Sequence, residues 1–168
     1  MPASRRTPSA AATLVAAALT LLVMRGELAA FENDKPPQPD HSHKCPVCGM
    51  FVYRYPDFIA SVSYDDGHTV FFDGVKDMFK YLFNLSLYAP DRSRERIDFI
   101  RVTEYYDLKA LDGRTAVYVI GSDVLGPMGH ELIPFQSKAD AQLFSKDHHG
   151  RRVLPFEQIT PAVIQQLD

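Results

Sequence analysis

The chain of 168 residues holds only two thiols, Cys45 and Cys48, spaced C-x-x-C inside His41-Ser42-His43-Lys44-Cys45-Pro46-Val47-Cys48-Gly49-Met50. Thiolate, thioether and imidazole are soft-to-borderline donors that select Cu(I) or zinc over hard ions. Two thiols at this spacing can also close a redox disulfide, so the segment alone leaves both chemistries open. A second group of donors, Met128 and His130, lies in Gly121-Ser122-Asp123-Val124-Leu125-Gly126-Pro127-Met128-Gly129-His130. Residues two apart in extended backbone face one side, so both side chains could address one ion. Gly126, Pro127 and Gly129 favour a bent, exposed loop that could donate them. Alone, M-x-H reads as a hairpin turn with a packing methionine. Beside a C-x-x-C it gains weight as half of a Cu(I) site, because methionine is not among zinc's usual ligands.

The remaining candidates are weaker. His41, His43 and Met50 are auxiliary metal candidates, the two histidines reading somewhat better as part of a solvated tail. His148 and His149 fall where a helix should end, and there positive charge is welcome on its own account. His68 sits in an expected hairpin strand, and Asp65, Asp66 and Asp73 read as turn and cap residues. No Ser-His-Asp order, glycine-rich phosphate loop or paired-carboxylate setting stands out, so no catalytic residue is assigned and no enzyme is expected.

A net charge of −3 without a long basic run sets nucleic acid aside as a partner. Apolar residues at 46%, with eleven Phe and eight Tyr, suffice for a sizeable core in one domain or two small modules. Residues 1–30 read as a signal peptide or N-terminal anchor: Arg5 and Arg6, an apolar run over 10–24, then a small-residue end at Ala29-Ala30. The run is short for a membrane span. The expected location is the periplasm, soluble after cleavage at Ala30 or held by an uncleaved segment, which allows membrane association. With no cysteine near the cut, the expectation is that the protein is not a lipoprotein. In an oxidising compartment neighbouring thiols tend to pair unless a metal or reductant holds them. A disulfide closing so short a loop would add little stability, so a purely structural bridge explains the pair poorly.

Residues 31–44, with Pro36, Pro37 and Pro39 among polar residues, read as a flexible linker. Strands are expected over 58–64 and 68–72 around the turn Asp65-Asp66-Gly67, then a helix opened by Asp73-Gly74, with Val75, Met78, Phe79 and Leu82 at helical spacing. A third strand over 97–103 completes β-β-α-β. The second half repeats the order: a strand over 115–120, an excursion over 121–129, a returning strand over 130–135, a helix capped by Ser137 and a strand over 152–156. Pro161 opens a short terminal helix. Aligning Phe72-Asp73-Gly74-Val75-Lys76-Asp77 with Phe135-Gln136-Ser137-Lys138-Ala139-Asp140 puts a Phe, a helix start and an Asp in register. The expected fold class is α+β, two tandem ββαβ modules over 45–110 and 111–168.

Cys45-Pro46-Val47-Cys48-Gly49-Met50, Phe72-Asp73, Met78, Tyr118-Val119-Ile120-Gly121-Ser122, Pro127-Met128-Gly129 and the closing 150–156 stretch together resemble the NosL family. The resemblance runs from Cys45 to the C-terminus. It implies an organomercurial-lyase-like fold of two ββαβ modules. It implies one Cu(I) held by Cys45 with Met128 and His130, Cys48 being the other candidate thiolate. It further implies delivery of copper to apo nitrous oxide reductase, for the copper–sulfide centre, with an ABC-type maturation complex as second partner. The rival from another class is a periplasmic thiol–disulfide oxidoreductase using the C-x-x-C pair; a redox cysteine of that kind usually opens a helix.

Overall fold

In this computed structural model residues 38–168 are described, so the expectations for residues 1–37, a leader and the first half of the linker, lie outside the described residues. Two hairpins set the architecture. The first joins β1 (Ala60–Tyr64) to β2 (Thr69–Phe72), with Gly67 at φ +82 in the turn. The second joins β5 (Val117–Gly126) to β6 (Gly129–Phe135). Each hairpin is followed by a helix, α1 (Val75–Phe83) or α3 (Lys138–Asp147), and then by a strand, β3 (Ile97–Thr103) or β7 (Arg152–Pro155). A short helix α2 (Leu85–Tyr88) follows α1, β4 (Ala110–Asp112) follows β3, and α4 (Pro161–Gln165) ends the chain.

Both sheets are antiparallel and share one arrangement. The orders are β2-β1-β3-β4 and β6-β5-β7, so in each half the first strand is central, with the second and third on either side. The fold is therefore α+β with the ββαβ order repeated. Helix starts correspond too: Gly74 and Ser137 are the caps, and Asp77 and Asp140 lie in the first turns. Ser137 Oγ accepts from Asp140 N–H at 3.1 Å and donates to Asp140 Oδ2 at 2.6 Å, a cap that favours the turn. Glycine at 74 has no such side chain, and that difference matters at the site.

The halves share a core. Residues of β5 alternate, so Tyr118 and Ile120 join the main cluster with Phe72, Met78, Phe79 and Leu132, while Val119 faces Phe135, Ala141 and Phe144 under α3. α1 is buried nearly all round, including Lys76 and Asp77, because the first sheet, β6 and α4 all pack on it.

Two elements differ from expectation. β4 pairs with β3 through Arg101↔Asp112 and Thr103↔Ala110, so the first sheet crosses the boundary expected at residue 110. The excursion expected over 121–129 is mostly strand. Pairing passes from Ile120↔Leu132 to Leu125↔His130, leaving residues 121–124 opposite Glu131 alone as a wide bulge. Gly121 takes φ +74 there, and Asp123 N–H donates to His148 O at 3.0 Å. Among the described residues no helix is long and apolar enough to cross a membrane.

Phe144 is fully buried, with ring centroids 4.9 Å from Phe135 and 4.7 Å from Tyr105. Phe144→Ala is expected to cost about 3–5 kcal/mol. Tyr118→Phe, which removes only the hydroxyl bond to Gly113 O, should cost about 1 kcal/mol. Urea unfolding of both variants checks the order.

Candidate metal centre

Cys45 to Met50 form a closed turn. Cys45 N–H donates to Met50 O at 2.9 Å, Gly49 N–H donates to Cys45 O at 2.8 Å, and Gly49 takes φ +78, a conformation that costs glycine little. A bridge between Lys44 and Phe51 closes the base. The turn aims backbone N–H groups at sulfur: those of Val47 and Cys48 bear on the Cys45 thiol, and that of Met50 on Cys48. Such donors favour a thiolate once its proton has gone.

Facing the thiols are two carboxylates from the start of α1. Cys45 Sγ lies 3.3 Å from Asp77 Oδ2, and Cys48 Sγ lies 3.2 Å and 3.4 Å from the two oxygens of Asp73. One ligand atom from each of Cys45, Cys48, Asp73 and Asp77 lies within 4.8 Å of the others. Cys45, Asp73 and Asp77 are buried and Cys48 is half-buried. Without a metal the thiols are donors to the carboxylates. Burial pushes the Cys45 thiol far above its ordinary value, with Asp77 and Asp73 adding to the effect. Burial likewise pushes Cys48 up to about 12, again with both aspartates contributing. Both cysteines are free thiols.

The repeated module explains why Asp77 is available. Its counterpart Asp140 is engaged with the Ser137 cap, whereas Gly74 makes no side-chain cap bond. The amino end of α1 is satisfied instead by Glu131 from β6, whose Oε1 accepts from Lys76 N–H at 2.6 Å and from Leu132 N–H at 2.8 Å. Burial raises the Glu131 carboxyl to about 8, against the pull of those two N–H groups.

Met128 and His130 occupy the tip of the second hairpin. Pro127 and Met128 form its turn, Gly126 pairs with Gly129, and Gly129 takes φ +85. That positive φ interrupts the extended run on which same-side facing of Met128 and His130 was expected. Met128 is 45% exposed and His130 is exposed; His130 lies outside the 4.8 Å group. The tip nonetheless meets α1, since Lys76 Nζ donates to Met128 O at 2.9 Å. Among the auxiliary candidates, His41 packs edge-on against Tyr53 with centroids 4.2 Å apart, and His43 against Phe71 at 4.8 Å. His43 Nδ1 is 2.8 Å from Asp40 Oδ1, and Met50 contributes its carbonyl to the cysteine turn. His148 stacks on Phe144 and pairs with Asp123 at 3.0 Å, a structural role.

Asp73 and Asp77 are the residues that sequence reasoning passed over as ligands. Helix-start chemistry accounts for both without a cavity. The usable signal was the row Phe71-Phe72-Asp73-Gly74-Val75-Lys76-Asp77-Met78-Phe79, which embeds charges in an otherwise apolar stretch. The surroundings of the thiols do not favour the oxidoreductase reading. Cys45 opens a turn rather than a helix, and burial holds its thiol protonated where a redox nucleophile needs a lowered pKa. Two thiols beside two carboxylates offer soft and hard donors to one cation.

Comparison with known proteins bears on this site. The copper chaperone NosL from Shewanella denitrificans has a crystal structure with the same fold: TM-score 0.64 at 23% identity, over 76% of this chain and 97% of that one. The copper-binding lipoprotein NosL of Stutzerimonas stutzeri is 30% identical over 174 residues, spanning 93% of this chain and 83% of the relative. Its name corrects one expectation, that the protein is not a lipoprotein. That expectation rested on a missing cysteine beside an assumed cut after Ala30. Residues 1–37, where that cut was placed, lie outside the described residues. The NosL family model matches residues 36–164, which span the cysteine turn, both hairpins and nearly all of the shared core. The chain belongs to the NosL family.

Proposed function

We propose that this chain is a Cu(I) metallochaperone: it carries copper as cargo and delivers it to apo nitrous oxide reductase for the copper–sulfide centre, beside an ABC-type maturation complex. The role is carriage rather than catalysis. The observation that carries the reading is the group of two thiols and two carboxylates at the start of α1, in a chain of the NosL family. Cys45 and Cys48 supply thiolate, Met128 a thioether and His130 an imidazole, a donor set suited to a soft monovalent ion. Asp73 and Asp77 hold the thiol protons until the metal displaces them. The exposed hairpin tip suits release, because an acceptor protein can reach Met128 and His130 before it reaches buried Cys45.

Competition against a chromophoric Cu(I) chelator tests the site. Cys45→Ser and Cys48→Ser are expected to weaken binding by about a hundredfold or more, and Met128→Ala and His130→Ala by about tenfold. Unchanged affinity in all four would remove the assignment. Mixing the copper-loaded protein with apo nitrous oxide reductase should then move copper to the enzyme; metal that stays behind would refute the proposed client.

The raised thiol pKa values give a second test with a definite sign. Both thiols are protonated at neutral pH, and only the thiolate binds, so loading expels protons and alkaline conditions favour it. Affinity should tighten by about tenfold per pH unit for each thiol that loses its proton, measured between pH 6 and 8. A flat profile would mean that no thiolate is a ligand.

A further inference from the structure

We propose that Lys76 is a positioning residue that, with Glu131, clasps the Met128–His130 hairpin tip to the start of α1, where Asp77 lies just inside the helix and Asp73 just before it, and so sets the second half of the metal site against the first. The proposal rests on the ligand assignment above and adds what holds the two halves together.

Residue 76 is fastened at both ends. Its backbone N–H donates to Glu131 Oε1 at 2.6 Å, and its ammonium donates to Met128 O at 2.9 Å. The two residues it grips, 128 and 131, bracket His130. The ammonium also donates to Leu167 O at 3.0 Å and lies 3.6 Å from Asp168 Oδ1, which completes its partners. Glu131 is wedged in place. A Cβ on Gly74 would collide with Glu131 Oε2, and one on Gly126 would sit tightly, 3.0 Å from Glu131 Cγ, so Glu131 is closely hemmed in from both sides. Asp77 follows Lys76 in the chain and meets Cys45, while Asp73, three residues earlier, meets Cys48. Residues 73–77, running from just before α1 into its first turn, therefore contact both thiols and the hairpin residues 128 and 131 that bracket His130.

Packing alone does not call for a lysine here. Lys76 is only 2% exposed, and burying an ammonium carries a desolvation cost that an apolar side chain of the same length would not incur. A buried ion with complete partners is weak evidence for stability, and the other role open to such a group is to fix one geometry. The geometry specified is the seat of the hairpin tip.

A double-mutant cycle between Lys76→Met and Met128→Ala tests this, with Lys80→Met as the control for the outer ion pair to Asp168. Lys76→Met is expected to keep the far-ultraviolet circular dichroism and the thiolate-to-copper absorption of the parent, and to weaken Cu(I) about tenfold. In the Met128→Ala background it should add clearly less than in the parent, because only His130 is left to misplace, and Lys80→Met should change neither. Full additivity, or no loss from Lys76→Met, overturns the proposal. If Lys76→Met does not fold, Lys76→Gln takes its place in the cycle with the same outcomes. A metal-independent readout separates this claim from the ligand assignment: amide hydrogen exchange at Met128, Gly129 and His130 in the copper-free protein. Lys76→Met or Lys76→Gln should speed exchange there and not at Val62 in β1; unchanged exchange overturns the clasp whatever the ligands prove to be. Loss of affinity in Lys76→Met, with Met128→Ala and His130→Ala both silent, would sink the ligand set.

Discussion

The candidate metal site depends on how the amino terminus of α1 is satisfied. A helix start leaves N–H groups without partners, and the usual remedy is a local side chain such as Ser137 in the second module. In the first module the cap is glycine, and a carboxylate from the other half of the chain, Glu131, supplies the acceptor. Two results follow from that one substitution of long-range for local capping. The modules are joined at a polar contact as well as through shared apolar core, and Asp77 is left to accept from a thiol.

The duplicated plan therefore carries an asymmetry at one corresponding position. Asp77 and Asp140 occupy equivalent first turns; Asp140 closes a cap on the surface, while Asp77 lies 3% exposed against Cys45. Burying a carboxylate beside another carboxylate and two thiols is costly unless protons or a cation compensate. In the metal-free protein the S–H groups do this. Burial raises both thiol pKa values most, and the two aspartates that add to it would also attract a cation to the site.

Much of the fold was legible in the sequence, and the exceptions have physical causes. β3 coincides with the expected span, and Ser137 caps α3 as its side chain suggested. β4 was missed because three residues, Ala110, Leu111 and Asp112, carry no alternation long enough to register and owe their conformation to the edge of β3. The extension of β5 through residues 121–124 was missed because Gly, Ser and Asp read as loop; a bulge lets a strand carry such residues without losing its hairpin. At the site, cysteine draws notice by type, since a C-x-x-C points to a metal or to a redox pair. Aspartate does not: a residue that suits a helix start needs no cavity to account for it, and only tertiary structure shows which carboxylates turn inward. The relation of Met128 to His130 hinges on a single backbone angle at Gly129 that composition does not encode.

The bond from each cysteine to a carboxylate also bears on how the empty and filled forms present themselves. Under the proposed Cu(I) role, loss of one thiol proton for one cation would be electroneutral, and loss of both would leave the site one charge more negative. Either change is small against the field of the whole protein, so a partner steered by long-range charge would approach both forms at similar rates. Such a partner would have to tell cargo from no cargo by touch, at the hairpin tip.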